Sequence, residues 1–164
     1  MDSNIEEFSN MKKLGTKWVK ALKILHVAFA VMWAGGAMSM MTVMLLTEVT
    51  DASSMLTRAQ VLKVIDDYLI IVGANGCIVT GILYGALTNW GFFRHRWITA
   101  KWVLTVLMVA SGTFLMGPCV NGNVLTSDAT VYHSNVEQTI FWGWVQIVLL
   151  VIVLVLSAWK PRMR

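Results

Sequence analysis

The sequence is poor in charge. Only 13% of its 164 residues are Asp, Glu, Lys or Arg, about half the roughly 25% found in a typical soluble domain. A disordered chain would be richer in charge and poorer in apolar residues than this one, which is 57% hydrophobic. A soluble domain of this size would have to leave much of that apolar surface in water. The composition therefore excludes both classes and indicates a small integral membrane protein.

Cysteine is scarce as well. Cys77 and Cys119 are too few for the disulfide framework of a small secreted domain. Cys77 falls near the middle of one long apolar run and Cys119 at the edge of another, and these different depths argue against a disulfide between them. The length is enough for one domain and not for two. We therefore predict a single transmembrane domain over residues 1–164.

Long apolar runs take the place of the missing charge. Four of them, at about 24–47, 68–88, 102–120 and 139–159, have the roughly 20 residues needed to cross a bilayer, and none contains Asp, Glu, Lys or Arg. Strands of a membrane barrel would alternate polar and apolar residues, and these runs do not. In lipid, every backbone polar group must be bonded within its own segment, so the runs must be helices. The predicted fold is an all-α integral membrane four-helix bundle.

Short polar motifs predict where some of these helices begin and end. Thr57 with Gln60 fits a capping box before the second helix, and Ser134 with Glu137 fits one before the fourth. Gly117-Pro118 is expected to end the third helix, because proline has no N–H to donate and glycine is common just past a helix end.

The positions of the basic residues predict the orientation of the helices. Only two of the 13, Arg58 and Lys63, lie on the side that holds the first and third connections. The other side holds Lys12, Lys13, Lys17, Lys20, Lys23, Arg94, Arg96, Lys101, Lys160, Arg162 and Arg164. Because basic residues are enriched on the cytoplasmic side, both termini are predicted to be cytoplasmic. The net charge of +4 then reflects topology and contact with anionic lipids in the bilayer, and it requires no nucleic-acid partner.

Two ionisable residues fall at similar depths near the cytoplasmic face. His26 lies within the first helix, and an ionisable residue inside a membrane helix is a functional hypothesis by default. The alternative is an interfacial histidine bonded to a headgroup or a backbone carbonyl. Lys101 begins the third helix, where a long lysine can also extend to the interface at little cost. Together, an imidazole and a cation at one depth could form one end of a site for an anionic, partly apolar ligand.

A stretch of small residues follows His26 on the first helix. Trp33 shares a helix face with His26 by its spacing, and Gly35 and Gly36 would let a neighbouring backbone or a flat ligand approach closely. Gly81 and Gly85 form a GxxxG pair on the second helix, for which plain helix packing is the favoured alternative. Four methionines, which suit Cu(I) but more often fill apolar cores, crowd the outer half of the first helix: Met38, Met40, Met41 and Met44.

These residues carry resemblances to known families. Leu25-His26-Val27 followed by Trp33-Ala34-Gly35-Gly36 resembles the first-helix signature of the CopD copper-resistance family and of HemJ, the membrane protoporphyrinogen oxidase. The segment 97–101, which ends in Lys101, resembles the HemJ segment that holds an essential lysine. Asp66-Asp67 with Thr80-Gly81 resembles an uncharacterised family of small four-helix bacterial integral membrane proteins. After the glycines this chain reads Ala37-Met38-Ser39, where HemJ proteins carry an arginine and then a tyrosine and a histidine.

The HemJ resemblance implies a haem b or porphyrin site near the cytoplasmic face of a bacterial inner membrane. His26 would be an axial metal ligand or an acid–base group, and Lys101 would bind a propionate or assist proton transfer. Trp33, Gly35 and Gly36 would accommodate the flat macrocycle. A six-coordinate haem needs a second axial ligand, and both His95 and a methionine such as Met32 are open to that role.

Two functions from different classes follow. The first is a redox protein of the membrane that binds haem or a porphyrin. The second is a bundle without a cofactor: a membrane subunit, an assembly factor or a small carrier, acting as a homo-oligomer or with a membrane partner. The absence of charge from all four spans favours the second. A transport pathway usually needs intramembrane charge or broken helices, and the sequence shows neither.

Overall fold

The computed structural model describes residues 15–88 and 96–159, and the described residues contain helices and no strand. The α-helices are α1 (Thr16–Leu46), α2 (Ala52–Ile65), α3 (Val72–Leu87), α4 (Arg96–Ser111), α5 (Gly117–Leu125) and α6 (Ala129–Trp159). Two π-helical segments, π1 (Asp66–Ile71) and π2 (Gly112–Met116), join α2 to α3 and α4 to α5 without a break. The chain therefore forms four long helices: α1, α2–π1–α3, α4–π2–α5 and α6.

Each long helix is long and apolar enough to cross a membrane. This confirms the predicted all-helical class and the predicted number of long apolar helices, and each predicted span falls within one long helix to within one residue. Successive helices run antiparallel. One end of the bundle, the connection end, holds residues 47–51 and 126–128; the other, the termini end, holds the start of α1 and the end of α6.

The helices extend further at the connection end than the capping motifs predicted. Asp51 caps α2, since its carboxylate accepts from the Ser54 N–H at 2.7 Å and the Ser54 hydroxyl oxygen accepts from the Asp51 N–H at 3.0 Å. These hydrogen bonds lower the pKa of the exposed Asp51 carboxyl. The predicted boxes at Thr57 and Ser134 were wrong, because both residues lie inside helices.

The third long helix continues past the proline that was predicted to end it. Pro118 lies in the first turn of α5, directly after π2, and the helix runs on to Leu125. A proline inside a helix cannot donate to the preceding turn, and its ring crowds the carbonyl four residues earlier. Widening the preceding turn into a π-helix relieves that crowding, so a local change of helix type replaces the predicted end.

The first and second long helices approach closely at glycines. A Cβ on Gly73 would lie 2.7 Å from the Trp33 backbone nitrogen, and one on Gly36 would lie 2.8 Å from the Leu69 Cβ. A Cβ on Gly76 would overlap the Phe29 ring. Side-chain-free positions let helix backbones come together in lipid, where the hydrophobic effect does not drive association. The close approach of these two helices thus occurs at these three glycines, whereas Gly81 makes only ordinary contacts.

A buried tyrosine joins the helices at the connection end. Tyr132 is fully buried, and its hydroxyl accepts from the Arg58 Nε at 2.7 Å. The Arg58 guanidinium also donates to the Thr47 carbonyl at 3.0 Å and lies over the Tyr132 ring. One arginine therefore links the first, second and fourth long helices, which gives a structural role to one of the two basic residues outside the predicted cytoplasmic side.

Candidate functional site

His26 is held by the second long helix near the termini end. Its Nδ1 lies 2.8 Å from the Thr80 hydroxyl oxygen, and the same hydroxyl donates to the Gly76 carbonyl at 2.5 Å. A hydroxyl has one hydrogen, so with that hydrogen directed at Gly76 it accepts from the His26 Nδ1–H. In the neutral imidazole the lone pair then lies on Nε2, the arrangement in which a histidine ligates a metal or accepts a proton.

Lys101 approaches His26 from the third long helix. Its neighbour Trp102 lies beside His26 at Gly81, and the Lys101 charge acts on the imidazole, although 75 positions separate the two residues in the sequence. The Lys101 Nζ also lies 4.9 Å from the centre of the Trp97 ring, a cation–π distance. The structure thus brings together the two ionisable residues that the sequence placed at one depth, and it adds an indole face beside the cation.

Gly81 and Trp102 complete this cluster. A Cβ on Gly81 would lie 3.6 Å from the Trp102 ring and 3.7 Å from the His26 Cε1, so the glycine separates imidazole and indole without a clash. Together, His26, Thr80, Gly81, Lys101 and Trp102 form what we call the inner site. It offers a nitrogen lone pair, a cation and aromatic surface at one end of the bundle.

The other residues predicted for the site lie further along α1. Trp33 is seven residues beyond His26, about 10 Å along the helix axis, and packs in an apolar cluster with Cys77 and Met108. Gly36 faces the second long helix, whereas a Cβ on Gly35 would meet nothing within 4 Å. The structure therefore places Trp33 and Gly36 in helix packing and Gly35 on an open face.

The donor set of the inner site fits one axial haem ligand and one carboxylate partner. His26 supplies the ligand and Lys101 the charge, while the described residues contain no group of three His, Cys, Asp or Glu side chains able to hold a bare metal ion. His95, one of the two proposed second ligands, lies outside the described residues. His26 lines neither the cavity between the four long helices nor the open groove beside Ala100 and Val103.

The methionines of α1 are divided between the core and the surface. Met40 and Met44 pack with Leu62 and Val120 in an apolar cluster, and Met41 fills the space that Gly143 leaves on the fourth helix. Met38 is exposed. This arrangement favours the packing interpretation over a copper site, because the thioethers lie among apolar side chains.

Comparison with protein-family models, with curated proteins and with solved structures finds no match. The resemblances to HemJ, to CopD and to the uncharacterised four-helix family therefore stay predictions. The functional argument rests on the geometry of this chain.

Sequence reasoning missed Gln146. This side chain is 6% exposed, and its Nε2 donates to the Met108 carbonyl of the third long helix at 3.0 Å. It also borders a cavity that is lined by residues of all four long helices. The sequence did indicate that this residue is unusual, because Gln146 is the single amide side chain in the apolar run 139–159. Polar groups inside membrane helices are costly and tend to be functional.

Proposed function

We propose that the protein binds an amphiphilic anion at the inner site, with haem b or a porphyrin in a redox role as the specific ligand class. The observation that carries the proposal is that Trp102, the residue next to Lys101, lies beside His26 at Gly81, so that an imidazole and a cation from different long helices share one end of the bundle. A cation attracts a carboxylate most strongly where water is scarce. Apolar surface for the rest of the ligand is adjacent, since Ile24, Val27 and Val103 are all exposed.

The chain's own residues would have separate roles in this proposal. Lys101 would pair with a carboxylate such as a propionate, with Trp97 limiting the positions of its ammonium group. Thr80 would hold the His26 ring so that Nε2 faces the ligand. Haem b, when bound, supplies one-electron redox chemistry, and the protein tunes it through the axial ligand and its hydrogen bonds.

We further propose that the protein is a multi-pass protein of a bacterial inner membrane with both termini in the cytoplasm. The support is the concentration of basic residues at the termini end, where Lys17, Lys20 and Lys23 are all exposed. Alkaline phosphatase, which is active only outside the cytoplasm, is expected to be inactive when fused to the C-terminus. An active fusion would contradict the orientation and would place the inner site on the outer side.

A bundle without a cofactor is the second candidate. The observation that favours it is the shallow burial of the helices: only 17% of the most apolar window is buried in the second, third and fourth candidate spans. Lipids, a second copy of the chain or a membrane partner would have to cover the remaining surface. In this interpretation the protein is a subunit, an assembly factor or a small carrier, and the inner site is helix packing.

Spectroscopic titration of the purified protein distinguishes the two candidates. Haem added to the wild type in detergent is expected to give a shifted Soret band, and His26→Ala should remove the shift because the axial ligand is lost. Lys101→Gln should weaken the binding of both haem and metal-free protoporphyrin by about tenfold, the loss of one hydrogen bond to a charged group.

The matched control is Lys20→Gln, which removes an exposed cation from the same end of the bundle. It is expected to leave both affinities unchanged. A wild-type protein that shows no spectral change with either compound would exclude haem and porphyrin as ligands and leave the cofactor-free candidate.

A further inference from the structure

The cavity that Gln146 borders lies between the four long helices, closer to the connection end than the inner site. Its volume is about 250 Å³, just below the range of roughly 300–1,000 Å³ typical of pockets for drug-sized ligands. Trp33 and Asn75 line the part of the cavity nearer the termini end, and Asp66 and Asn121 line the part nearer the connection end. Both π-helical segments border it, and such segments often mark functional sites. We call it the central cavity.

Gln146 presents an unpartnered acceptor to this cavity. The side chain is more than nine-tenths buried, and its Nε2 donates to the Met108 carbonyl and, at 3.5 Å, to the Ser111 hydroxyl oxygen. Its Oε1 makes no hydrogen bond within the described ranges of the chain. This oxygen keeps some accessible surface, because among the described residues no fully buried side-chain oxygen or nitrogen lacks a partner. The amide therefore favours a ligand that donates a hydrogen bond.

Glycine makes room for that amide. A Cβ on Gly112 would lie 3.1 Å from the Gln146 Nε2, tighter than an ordinary contact. The orientation of Gln146 is thus built into the packing of the third and fourth long helices: its donor is used by the Met108 carbonyl and its acceptor is left for the cavity.

A carboxylate near the connection end gives the cavity its charge. Asp66 borders the cavity and makes no hydrogen bond or ion pair of its own within the described residues. Lys63 borders the cavity as well, and its ammonium is paired with Asp67, one turn further along the same helix. These three side chains together carry one net negative charge. A polar cavity that holds this net negative group in the wall of an apolar bundle attracts a single positive charge.

The walls suit a cation with an apolar body. Trp33 borders the cavity, and an indole ring favours an ammonium group over its face. Met108 and Met116 line the same space, and methionine side chains adapt to irregular ligands. The small volume limits the ligand to few heavy atoms.

We propose that the central cavity binds a compact organic cation with a primary or secondary ammonium group. Asp66 balances the charge, and the Gln146 Oε1 accepts a hydrogen bond from the ligand. The proposal does not rest on the inner site, because neither His26 nor Lys101 borders this cavity.

Calorimetric titration with three probes of equal size tests the charge preference. Propylammonium is expected to bind the purified protein, whereas propanol and propionate should not. Asp66→Asn should lower the affinity for propylammonium at least tenfold, and Gln146→Met, which keeps the side-chain volume, should lower it by about tenfold. The control Glu137→Gln removes an exposed carboxylate from the fourth helix and should have no effect, and His26→Ala should have none either.

Thiol labelling tests access to the cavity without altering its charged residue. In a chain with both native cysteines replaced by alanine, Asn75→Cys should react with a small water-soluble thiol reagent, and propylammonium should slow that reaction. Failure of the wild type to bind propylammonium, equal binding of propionate, or labelling that propylammonium leaves unchanged would each overturn the proposal.

Discussion

Replacing Gly73 with alanine is expected to force the first and second long helices apart and to destabilise the bundle by about 3 kcal/mol, at the upper end of ordinary overpacking costs. The added Cβ would lie 2.7 Å from the backbone nitrogen and 2.9 Å from the Cα of Trp33. These are backbone atoms, so no flexible side chain can move aside. Titration of the folded protein in mixed micelles with a denaturing detergent, followed by circular dichroism, measures the loss.

Gly35→Ala is the matched control, because it makes the same change on the helix that Gly73 faces. Its Cβ would meet nothing within 4 Å, so the substitution should be neutral or, from helix propensity, stabilising by up to about 1 kcal/mol. If both variants were equally stable, the close approach at Gly73 would be wrong. A destabilised Gly35→Ala would indicate that a further helix packs on that face.

Replacing Trp33 with alanine is expected to have an effect of similar size or larger. Trp33 is 4% exposed and packs against Cys77 and Met108 at the centre of the bundle. Removing such a ring leaves a void, and comparable substitutions cost about 3–5 kcal/mol. The same titration in mixed micelles measures this cost. Because Trp33 packs in the core cluster with Cys77 and Met108, the affinity of the folded fraction for haem should change by less than twofold.

Trp33→Phe provides a variant that keeps most of the packing and should fold. The family resemblance gives Trp33 a place beside the macrocycle, whereas the structure gives it a place in the core. Normal stability combined with lost haem binding in either variant would favour the place beside the macrocycle and would contradict the packing described above.

The number and approximate position of the long helices could be predicted, because each apolar run is long enough to form one of them. The helix ends could not. Thr57 with Gln60 and Asp51 with Ser54 offer similar capping chemistry, and the helix begins at the earlier pair, so that Arg58 lies within it and donates to Tyr132. At Pro118, a change to π-helical geometry keeps the helix continuous, an outcome that no local sequence rule distinguishes from a helix end.

For the candidate site, the sequence predicts how far along its helix each residue lies, but not which face of the helix meets a neighbour. Counting residues from the ends of the apolar runs placed His26 and Lys101 at one level, and the structure brings them together. Which face of a helix meets which neighbour depends on the packing of the whole bundle. For that reason Gly35 and Gly36 were treated alike, although one faces open space and the other the second long helix. Gln146 was missed because its partner, the Met108 carbonyl, is a backbone atom without a sequence signature.

The central claim is that the inner site recognises a carboxylate through Lys101. Its most direct test compares the affinities of the purified protein for protoporphyrin and for its dimethyl ester, which differ in charge and little in shape. The wild type and Lys20→Gln should prefer the diacid by about tenfold, a difference of about 1.4 kcal/mol, and Lys101→Gln should bind both compounds equally. A wild type without preference, or a preference that persists in Lys101→Gln, would contradict the claim.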